Sequence, residues 1–258
     1  MKLIVFAVVI VGVISCGKFS YSPYVAQTKV LNLNLKNISR LDYNQLSSQG
    51  EYKIAVISDT HDYYDELDSQ VRYINKQNYD MTFISGDMTN TGLVTEYEES
   101  IKRINKLSKP VFTTSGNHDL LIDGAKIYED YFGPQNYSLE IGDTSFIFLN
   151  NNNWESNMQA PNISWLESEL MKAFGNRIVV IAHCPYDDQE RFTLAQRGDF
   201  KNLLETYNVN YFINGHNHNP SESDSANFKH ITVGSSSKIV VLELKITDDE
   251  ITHKSIQI

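Results

Sequence analysis

Histidine, aspartate and asparagine side chains recur directly after apolar segments of this sequence, in five short clusters. These clusters contain Asp59 and His61, Asp87, Asn117 and His118, His183, and His216 and His218. Taken singly, each has an ordinary structural interpretation, because Asp and Asn cap helices and a lone His usually belongs to the core or the surface. Five clusters at the same end of their apolar segments instead favour one common site. Imidazole, carboxylate and amide groups, without a thiolate, suit Mn, Fe or Zn.

Strands and helices alternate through the part of the chain that contains the first three clusters. Continuous apolar runs predict buried strands, and apolar residues at three- and four-residue spacing predict helices. The predicted order is a strand at 53–57, a helix at 64–76, a strand at 80–84, a helix from Thr95 with a Thr95–Glu98 capping box, and a strand at 110–114. Such an alternation predicts parallel βαβ units, whose sheets bind ligands at the carboxyl ends of their strands.

The rest of the chain continues with mixed β structure and helices. Residues Val30–Leu35 alternate apolar and polar side chains and predict a half-buried strand. Gly142-Asp143 predicts a hairpin turn, and a helix ending at Phe174 would point Phe174 inward. The further predicted elements are a helix at 126–132, strands at 137–141 and 144–149, a helix from 162 or 164 to 174, a strand at 177–182, a helix at 199–207, and β structure at 211–213, 231–233, 239–246 and 250–256.

The order Asp-x-His, Gly-Asp, Gly-Asn-His-Asp, His and Gly-His-x-His resembles the calcineurin-like metallophosphoesterase superfamily. All five blocks are present in that order between Asp59 and His218. The resemblance implies an α/β fold, namely a four-layer α/β/β/α sandwich of two mixed β-sheets flanked by helices. It also implies a phosphoester hydrolase in which two divalent metals (Mn, Fe or Zn) activate water for an in-line displacement.

The same resemblance assigns a role to each residue of the clusters. The implied ligands are Asp59, His61 and His218 for one metal, Asn117, His183 and His216 for the other, and Asp87 bridging the two. His118 would stand beside the leaving group, where it donates a proton or a hydrogen bond. Asp119 would orient the imidazole of His118.

Three residues next to these blocks are candidates for the substrate rim. Cys184 follows His183 directly and would face the rim, unless it is a small packing residue. The loop at 186–198 contains Arg191 and Arg197, which could contact a second phosphate or a carboxylate. Equally, both arginines could be solvated partners of the acidic residues in the same loop.

The net charge and the presence of all five blocks restrict the kinds of substrate and of function that we expect. The chain has a formal net charge of −10, which disfavours nucleic acid as a partner because an acidic surface repels a phosphate backbone. We therefore expect a small-molecule phosphoester as substrate, hydrolysed by a phosphodiesterase or a phosphomonoesterase. The alternative is a non-catalytic, envelope-anchored binding module that retains the fold. Such a module should have lost ligands, and none of the seven is missing.

The N-terminus resembles the export signal of a bacterial lipoprotein. A lysine precedes an apolar run at 3–14 that is too short to span a bilayer, and Ser15-Cys16-Gly17 follows. The resemblance implies a signal peptide at 1–15, a lipid on Cys16, a tether at 16–29 and a single domain at 30–258. It implies a lipid-anchored protein of the bacterial cell envelope, periplasmic or surface-facing. A plain signal peptide with an incidental Cys16 is the alternative.

Overall fold

Two mixed β-sheets form the framework of the protein in a computed structural model, which describes residues 22–24 and 31–258. The predicted signal peptide, Cys16 and most of the predicted tether lie outside the described residues. The first sheet contains β1 (Glu51–Ile57), β2 (Met81–Ser85), β3 (Val111–Thr114), β10 (Val240–Thr247) and β11 (Ile251–Gln257). Its spatial order is β11-β10-β1-β2-β3, with β1, β2 and β3 parallel and β10 antiparallel to both of its neighbours.

The second sheet is built around four parallel strands. It contains β4 (Tyr137–Ile141), β5 (Thr144–Phe148), β6 (Arg177–Ile181), β7 (Tyr211–Asn214), β8 (Ser221–Asp224) and β9 (Lys229–Thr232). Its spatial order is β4-β5-β6-β7-β9-β8, in which β5, β6, β7 and β9 are parallel and the two edge strands are antiparallel to their neighbours. The predicted hairpin around Gly142 is thereby confirmed.

Seven α-helices flank the two sheets within the described residues. They are α1 (Leu33–Ile38), α2 (Tyr43–Ser48), α3 (Tyr64–Lys76), α4 (Val94–Ile104), α5 (Gly124–Phe132), α6 (Ile163–Lys172) and α7 (Leu194–Thr206). One apolar core contains residues of α3, α4 and α5 with the first sheet, and another contains residues of α6 and α7 with the second. The predicted four-layer α/β/β/α sandwich is confirmed.

Aromatic side chains fill the space between the two sheets. The ring of Phe83 meets Phe146 and Phe148 edge-on, with ring centroids 5.3 Å and 4.9 Å apart, and Tyr137 stacks on Phe148 at 4.6 Å. Burying one such side chain contributes about 1.5–3 kcal/mol. This core holds the two sheets face to face, so that their carboxyl ends open on the same side of the molecule.

The predicted strand at Val30–Leu35 is wrong, because its second half forms the start of α1, which covers the open edge of β3. The Asn34 side chain donates to the Thr113 carbonyl at 3.2 Å and accepts from the Thr113 N–H at 3.0 Å. Asn37 donates to the Val111 carbonyl at 2.7 Å. The two amides satisfy edge groups that a neighbouring strand would otherwise pair. The alternating pattern thus arises from a helix with polar groups on its buried side.

The start of α4 also differs from its prediction. The Glu96 carboxylate accepts from the N–H groups of Leu93 and Thr91, at 3.1 Å and 3.0 Å. The predicted Thr95–Glu98 capping box is therefore wrong, since the helix begins one residue before Thr95. A carboxylate in the first turn satisfies free N–H groups there in either register, so spacing alone did not distinguish the two.

The bounds of α6 and α7 were also only partly predicted. Thr193 and Gln196 form a capping box that starts α7 well before the predicted first residue, Asp199. Phe174 lies beyond the end of α6 and is 71% exposed, so its predicted inward orientation is wrong. Within the described ranges 22–24 and 31–258, none of the helices is long and apolar enough to span a membrane.

Candidate metal centre

The five clusters that follow apolar segments meet at the carboxyl edge shared by the two sheets. The residues come directly after β1, β2 and β3 of the first sheet and after β6 and β7 of the second. Seven of these residues are the candidate ligands. Five of the seven are buried, namely Asp59, His61, Asp87, Asn117 and His183, and the two after β7, His216 and His218, are partly exposed. A set of titratable side chains is therefore concentrated in a small volume that solvent reaches from one side.

Five of these seven residues have a left-handed backbone, which is costly for residues with a Cβ. Their φ angles are 49° (Asp59), 39° (His61), 53° (Asp87), 71° (His216) and 58° (His218). Such conformations cost about 1–3 kcal/mol each and concentrate at functional sites. The surrounding packing holds each strand end in the sharp turn that directs its side chain toward the others.

Two glycines allow the strand ends to approach this closely. A Cβ on Gly116 would lie 2.1 Å from Oδ1 of Asp87, and one on Gly215 would lie 1.9 Å from Oγ of Ser58. Both distances are shorter than any real contact, so a side chain at either position would displace a neighbouring loop. The glycines of the Gly-Asn-His-Asp and Gly-His-x-His blocks thus have a packing role in the site.

Four of the residues form a first cluster suited to a cation. Ligand atoms of Asp59, His61, Asp87 and His218 all lie within 4.8 Å of one another. Nε2 of His61 is 3.4 Å from Nε2 of His218 and 3.6 Å from Oδ2 of Asp87. Nε2 of His218 is 3.4 Å from Oδ1 of Asp59. Two carboxylates and two imidazoles therefore converge at one point.

A second cluster lies on the other side of Asp87. Oδ1 of Asn117 is 3.1 Å from Nε2 of His183 and 2.9 Å from Nδ1 of His216. Nε2 of His183 is also 3.2 Å from Oδ2 of Asp87. The same Asp87 oxygen therefore faces imidazoles of both clusters, and the structure brings together all seven residues that the sequence singled out.

Backbone carbonyls hold two of the imidazoles in the orientation that a ligand requires. Nδ1 of His61 lies 3.0 Å from the Thr89 carbonyl, and Nδ1 of His183 lies 2.8 Å from the Ser85 carbonyl. A carbonyl can only accept, so in each ring Nδ1 carries the hydrogen and donates it. Nε2 of each ring is then directed into the site, as in metal-binding histidines generally.

Electrostatics keep two imidazoles neutral and pair a third with a carboxylate. Burial lowers the pKa of His61, and burial together with His183 and Arg191 lowers the pKa of His216 to about 4. Burial also opposes protonation of His183, but Asp87 outweighs it and raises the pKa of His183 to about 9. Although burial disfavours the Asp87 carboxylate, His183 holds the pKa of Asp87 well below its usual range.

His118 lies beside the first cluster, and the partner of its ring is the Asn90 carbonyl and not Asp119. Nδ1 of His118 is 2.7 Å from the Asn90 carbonyl, and its backbone N–H donates to Oδ1 of Asp87 at 2.9 Å. Its ring meets that of His61 edge-on, with centroids 4.9 Å apart. With the ring held through Nδ1, Nε2 of His118 is the atom available to a substrate.

The prediction that Asp119 orients His118 is wrong, because the Asp119 carboxylate is used elsewhere. One oxygen accepts from the N–H groups of Met88 and Thr89 at 2.9 Å and 3.0 Å, and from the Thr89 hydroxyl at 2.9 Å. The other accepts from the Gly116 N–H at 2.9 Å. Asp119 is fully buried and joins the loop after β2 to the loop after β3.

The prediction that Cys184 faces the substrate rim is also wrong. Cys184 is 0% exposed, its thiol donates to Oδ1 of Asn152 at 3.4 Å, and burial raises its pKa well above the usual value. Cys184 is a packing residue. Arg191 is 8% exposed and pairs with Glu155 at 2.7 Å, whereas Arg197 lies half-buried on α7.

Sequence reasoning missed the asparagines that follow β5. Oδ1 of Asn151 accepts from the N–H groups of His183 and Cys184 at 3.2 Å and 3.0 Å, and its amide donates to the Cys184 carbonyl at 2.6 Å. Asn152 donates to the Ser115 carbonyl at 2.9 Å. Four consecutive Asn residues at a parallel strand's carboxyl end were the available signal, but the segment was interpreted only as a polar loop.

The fold is a four-layer sandwich with two clusters of His, Asp and Asn side chains at its strand ends, one of which could hold a metal ion. Residues 52–220 match the family model described as calcineurin-like phosphoesterase. This match covers more than half of the chain and contains all seven residues of the two clusters. The protein belongs to the calcineurin-like phosphoesterase family.

Similar proteins come from bacteria and from a vertebrate. The chain is 27% identical over 189 residues (65% of this chain, 76% of the relative) to a protein of Coxiella burnetii named probable cyclic nucleotide phosphodiesterase. It is 28% identical over 109 residues to a 3',5'-cyclic-nucleotide phosphodiesterase of Nostoc, with 41% of each chain covered. A dimetal phosphatase from Danio rerio has the same fold, with a TM-score of 0.64 at 13% identity, covering 80% of this chain and 96% of that one.

Proposed function

We propose that this protein hydrolyses a small phosphodiester of the cyclic nucleotide type at a dinuclear metal centre. One observation carries the proposal: Oδ2 of Asp87 lies 3.6 Å from Nε2 of His61 and 3.2 Å from Nε2 of His183. A carboxylate oxygen between two groups of imidazoles has the position that a bridging ligand requires. The other donors lie on either side of it.

The donor set fits two divalent cations. Asp59, His61 and His218 would hold one ion, Asn117, His183 and His216 the other, and Asp87 both. Oxygen and imidazole donors without a thiolate suit Mn, Fe or Zn. When bound, two divalent ions act as Lewis acids toward phosphoryl oxygens and lower the pKa of a coordinated water. Asn117 is neutral, so two carboxylates leave the loaded site positively charged toward a phosphate.

His118 supplies the proton for the departing oxygen. The Asn90 carbonyl holds the ring through Nδ1, and the Asp87 carboxylate holds the backbone N–H of the same residue. Nε2 is thereby aimed at the substrate by two fixed contacts. General acid catalysis of this kind typically contributes about 10²–10⁴-fold.

The names of two relatives favour a diester over a monoester. Both the Coxiella burnetii and the Nostoc proteins are named as cyclic nucleotide phosphodiesterases. The same ligands serve monoesters equally well, so a phosphomonoesterase activity is the second candidate. An acidic chain and a site open to small molecules fit either ester better than a nucleic acid.

Hydrolysis by metal-stripped protein that is re-supplied with Mn²⁺ tests the proposal. The substrates are cyclic AMP, bis-p-nitrophenyl phosphate and p-nitrophenyl phosphate, and the variants are Asp87→Asn and His118→Ala. We expect metal-dependent turnover, faster on the diesters, that is lost in Asp87→Asn and reduced about 10²–10⁴-fold in His118→Ala. Stoichiometric metal binding without turnover of any ester would overturn hydrolysis and favour the non-catalytic binding module.

We also propose that the protein is exported and lipid-anchored through Cys16 in the bacterial cell envelope. The apolar run at 3–14 followed by Ser15-Cys16-Gly17 supports this proposal. Radioactive palmitate should label the wild-type protein in cells, and Cys16→Ser should abolish the label and move the protein out of the membrane fraction. Equal fractionation of both forms would overturn the lipid anchor.

A further inference from the structure

An exposed tryptophan lies on the loop that borders the second cluster. Asn152, on that loop, donates to the Ser115 carbonyl at 2.9 Å, two residues before the ligand Asn117. Trp154 follows Asn152 by two residues, so their Cα atoms lie within about 7 Å of each other. The Trp154 side chain is nevertheless 48% exposed. A large apolar ring thus reaches solvent at the edge of the metal centre.

The indole is held in place by a buried ion pair. The guanidinium of Arg191 lies over the Trp154 ring, 5.0 Å from its centroid. Arg191 pairs with Glu155 at 2.7 Å, and their side chains are only 7% and 10% exposed. Asn153 donates to the Arg191 carbonyl at 3.0 Å. One face of the indole therefore rests on a fixed support, while much of the rest of the ring is open.

The same support is connected to the second cluster. The Arg191 N–H donates to Oδ1 of Asp188 at 3.0 Å, and Oδ2 of Asp188 lies 3.5 Å from Nε2 of His216. Trp154 and the ligand His216 are thus linked through a short chain of contacts. Because Glu155 neutralises Arg191, the exposed surface beside the second cluster is an apolar ring and not a cation.

We propose that Trp154 is the base-binding surface of the site, on which the planar base of a nucleotide stacks while its phosphate lies at the two clusters. The inference rests on the proposed function and names its substrate as a nucleotide. Every base has a π-face, and stacking on an indole is favourable without any specific hydrogen bond. A purine covers more of the ring than a pyrimidine, so purine nucleotides should be preferred.

Tryptophan fluorescence reads this contact directly. The chain contains two tryptophans, so Trp165→Phe leaves Trp154 as the sole indole. In Mn²⁺-loaded Trp165→Phe protein, AMP should quench the emission in a saturable way. Ribose 5-phosphate, which has the same sugar and phosphate but no base, should not. Equal responses to AMP and ribose 5-phosphate would overturn the proposal.

Kinetics supply an independent measurement with a matched control. Trp154→Ala should raise KM for cyclic AMP by about tenfold, the usual size of a lost base–aromatic stack. It should leave hydrolysis of an abasic ribose cyclic phosphate unchanged. Phe174→Ala removes another exposed aromatic ring, beyond the end of α6, and should leave both substrates unaffected. An unchanged KM for cyclic AMP in Trp154→Ala would overturn the base-binding surface.

The two arms separate failure of this inference from failure of the proposed hydrolysis. Saturable quenching of Trp154 by AMP in a protein that hydrolyses no ester would support the base-binding surface and overturn only the activity. Hydrolysis of cyclic AMP at equal rates by wild type and Trp154→Ala, without quenching, would support the activity and overturn the base-binding surface.

Discussion

Nε2 of His183 lies 3.2 Å from Oδ2 of Asp87, and neither side chain is more than 1% exposed. Asp87 raises the pKa of His183 to about 9, although burial opposes this, so the imidazole is protonated at neutral pH unless a metal takes its place. A ligating histidine must be neutral, and metal binding therefore competes with this proton. In the metal-free protein, this proton supplies a positive charge next to the Asp87 carboxylate.

The pair predicts that the stability of metal-stripped protein falls between pH 7 and pH 9. A group whose pKa is raised by folding stabilises the fold fully below its unfolded value, about 6.5 for His, and loses that contribution as the pH rises through about 9. We expect the free energy of unfolding to fall by about 1–3 kcal/mol over this interval. Urea denaturation in the presence of a chelator measures it.

The same linkage predicts that affinity for Mn²⁺ rises with pH and that binding releases a proton. Titration calorimetry in buffers of different ionisation enthalpy counts the protons released.

Asp87→Asn is the control for the stability prediction. Without the carboxylate the pKa of His183 is no longer raised, and the fall of the free energy of unfolding above pH 7 should disappear. An unchanged slope in Asp87→Asn would contradict the assignment.

Two glycine-to-alanine substitutions should differ in effect: one should lower activity, and the other should raise stability. A Cβ on Gly116 would lie 2.2 Å from the backbone nitrogen of Asp87, whereas one on Gly198, within α7, meets nothing within 4 Å. Gly116→Ala would displace the Asp87 carboxylate and should lower kcat/KM by at least about a hundredfold. Gly198→Ala should raise the free energy of unfolding by about 1 kcal/mol at full activity. Phosphoesterase assays and urea denaturation of both variants measure this, and an active Gly116→Ala would refute the packing role.

Asp119 should be important for stability even though it does not contact the ring of His118. Removing its carboxylate in Asp119→Ala leaves the buried N–H groups of Met88, Thr89 and Gly116 without an acceptor. We expect the free energy of unfolding of metal-stripped protein to fall by about 3 kcal/mol. Asp119→Asn retains one acceptor oxygen and should lose less. Chemical denaturation of wild type, Asp119→Ala and Asp119→Asn measures these differences. Equal free energies of unfolding would show that Asp119 does not hold the loops after β2 and β3 together.

Substitution of Asn151 should lower the metal affinity of the second cluster selectively, because the Asn151 side chain hydrogen-bonds the backbone of His183 and Cys184. Asn151→Ala removes the oxygen that accepts from the N–H groups of His183 and Cys184, and the amide that donates to the Cys184 carbonyl. Loss of a group that orients a ligand typically lowers metal affinity about 10–100-fold. Competition with a chelating dye measures the affinity for each Mn²⁺. Asn227→Ala, an exposed asparagine bonded to the Glu205 carbonyl, is the matched control and should bind Mn²⁺ like wild type.

The fold and the clusters were predictable wherever the signal is local. Short apolar runs marked the parallel strands, and the blocks that follow them placed polar side chains at one edge of each sheet. The helix α1 was misread because its asparagines pair with β3, which is 79 residues away in sequence at Asn34. The prediction for Cys184 was wrong for the same kind of reason, since Asn152, which its thiol contacts, lies on the loop after another strand.

The sequence by itself determined the chemical types of the donors and the order in which they follow their strands. Spacing within a block is local, and strand periodicity is enough to place each block at a carboxyl edge. The tertiary structure decided which donors face one another, as with His61 and His218, which are 157 residues apart and meet at 3.4 Å. It also decided that the His118 ring contacts the Asn90 carbonyl and that the Trp154 ring packs against the Arg191 guanidinium. Contacts of this kind depend on how two sheets pack face to face, and no one-dimensional pattern encodes that packing.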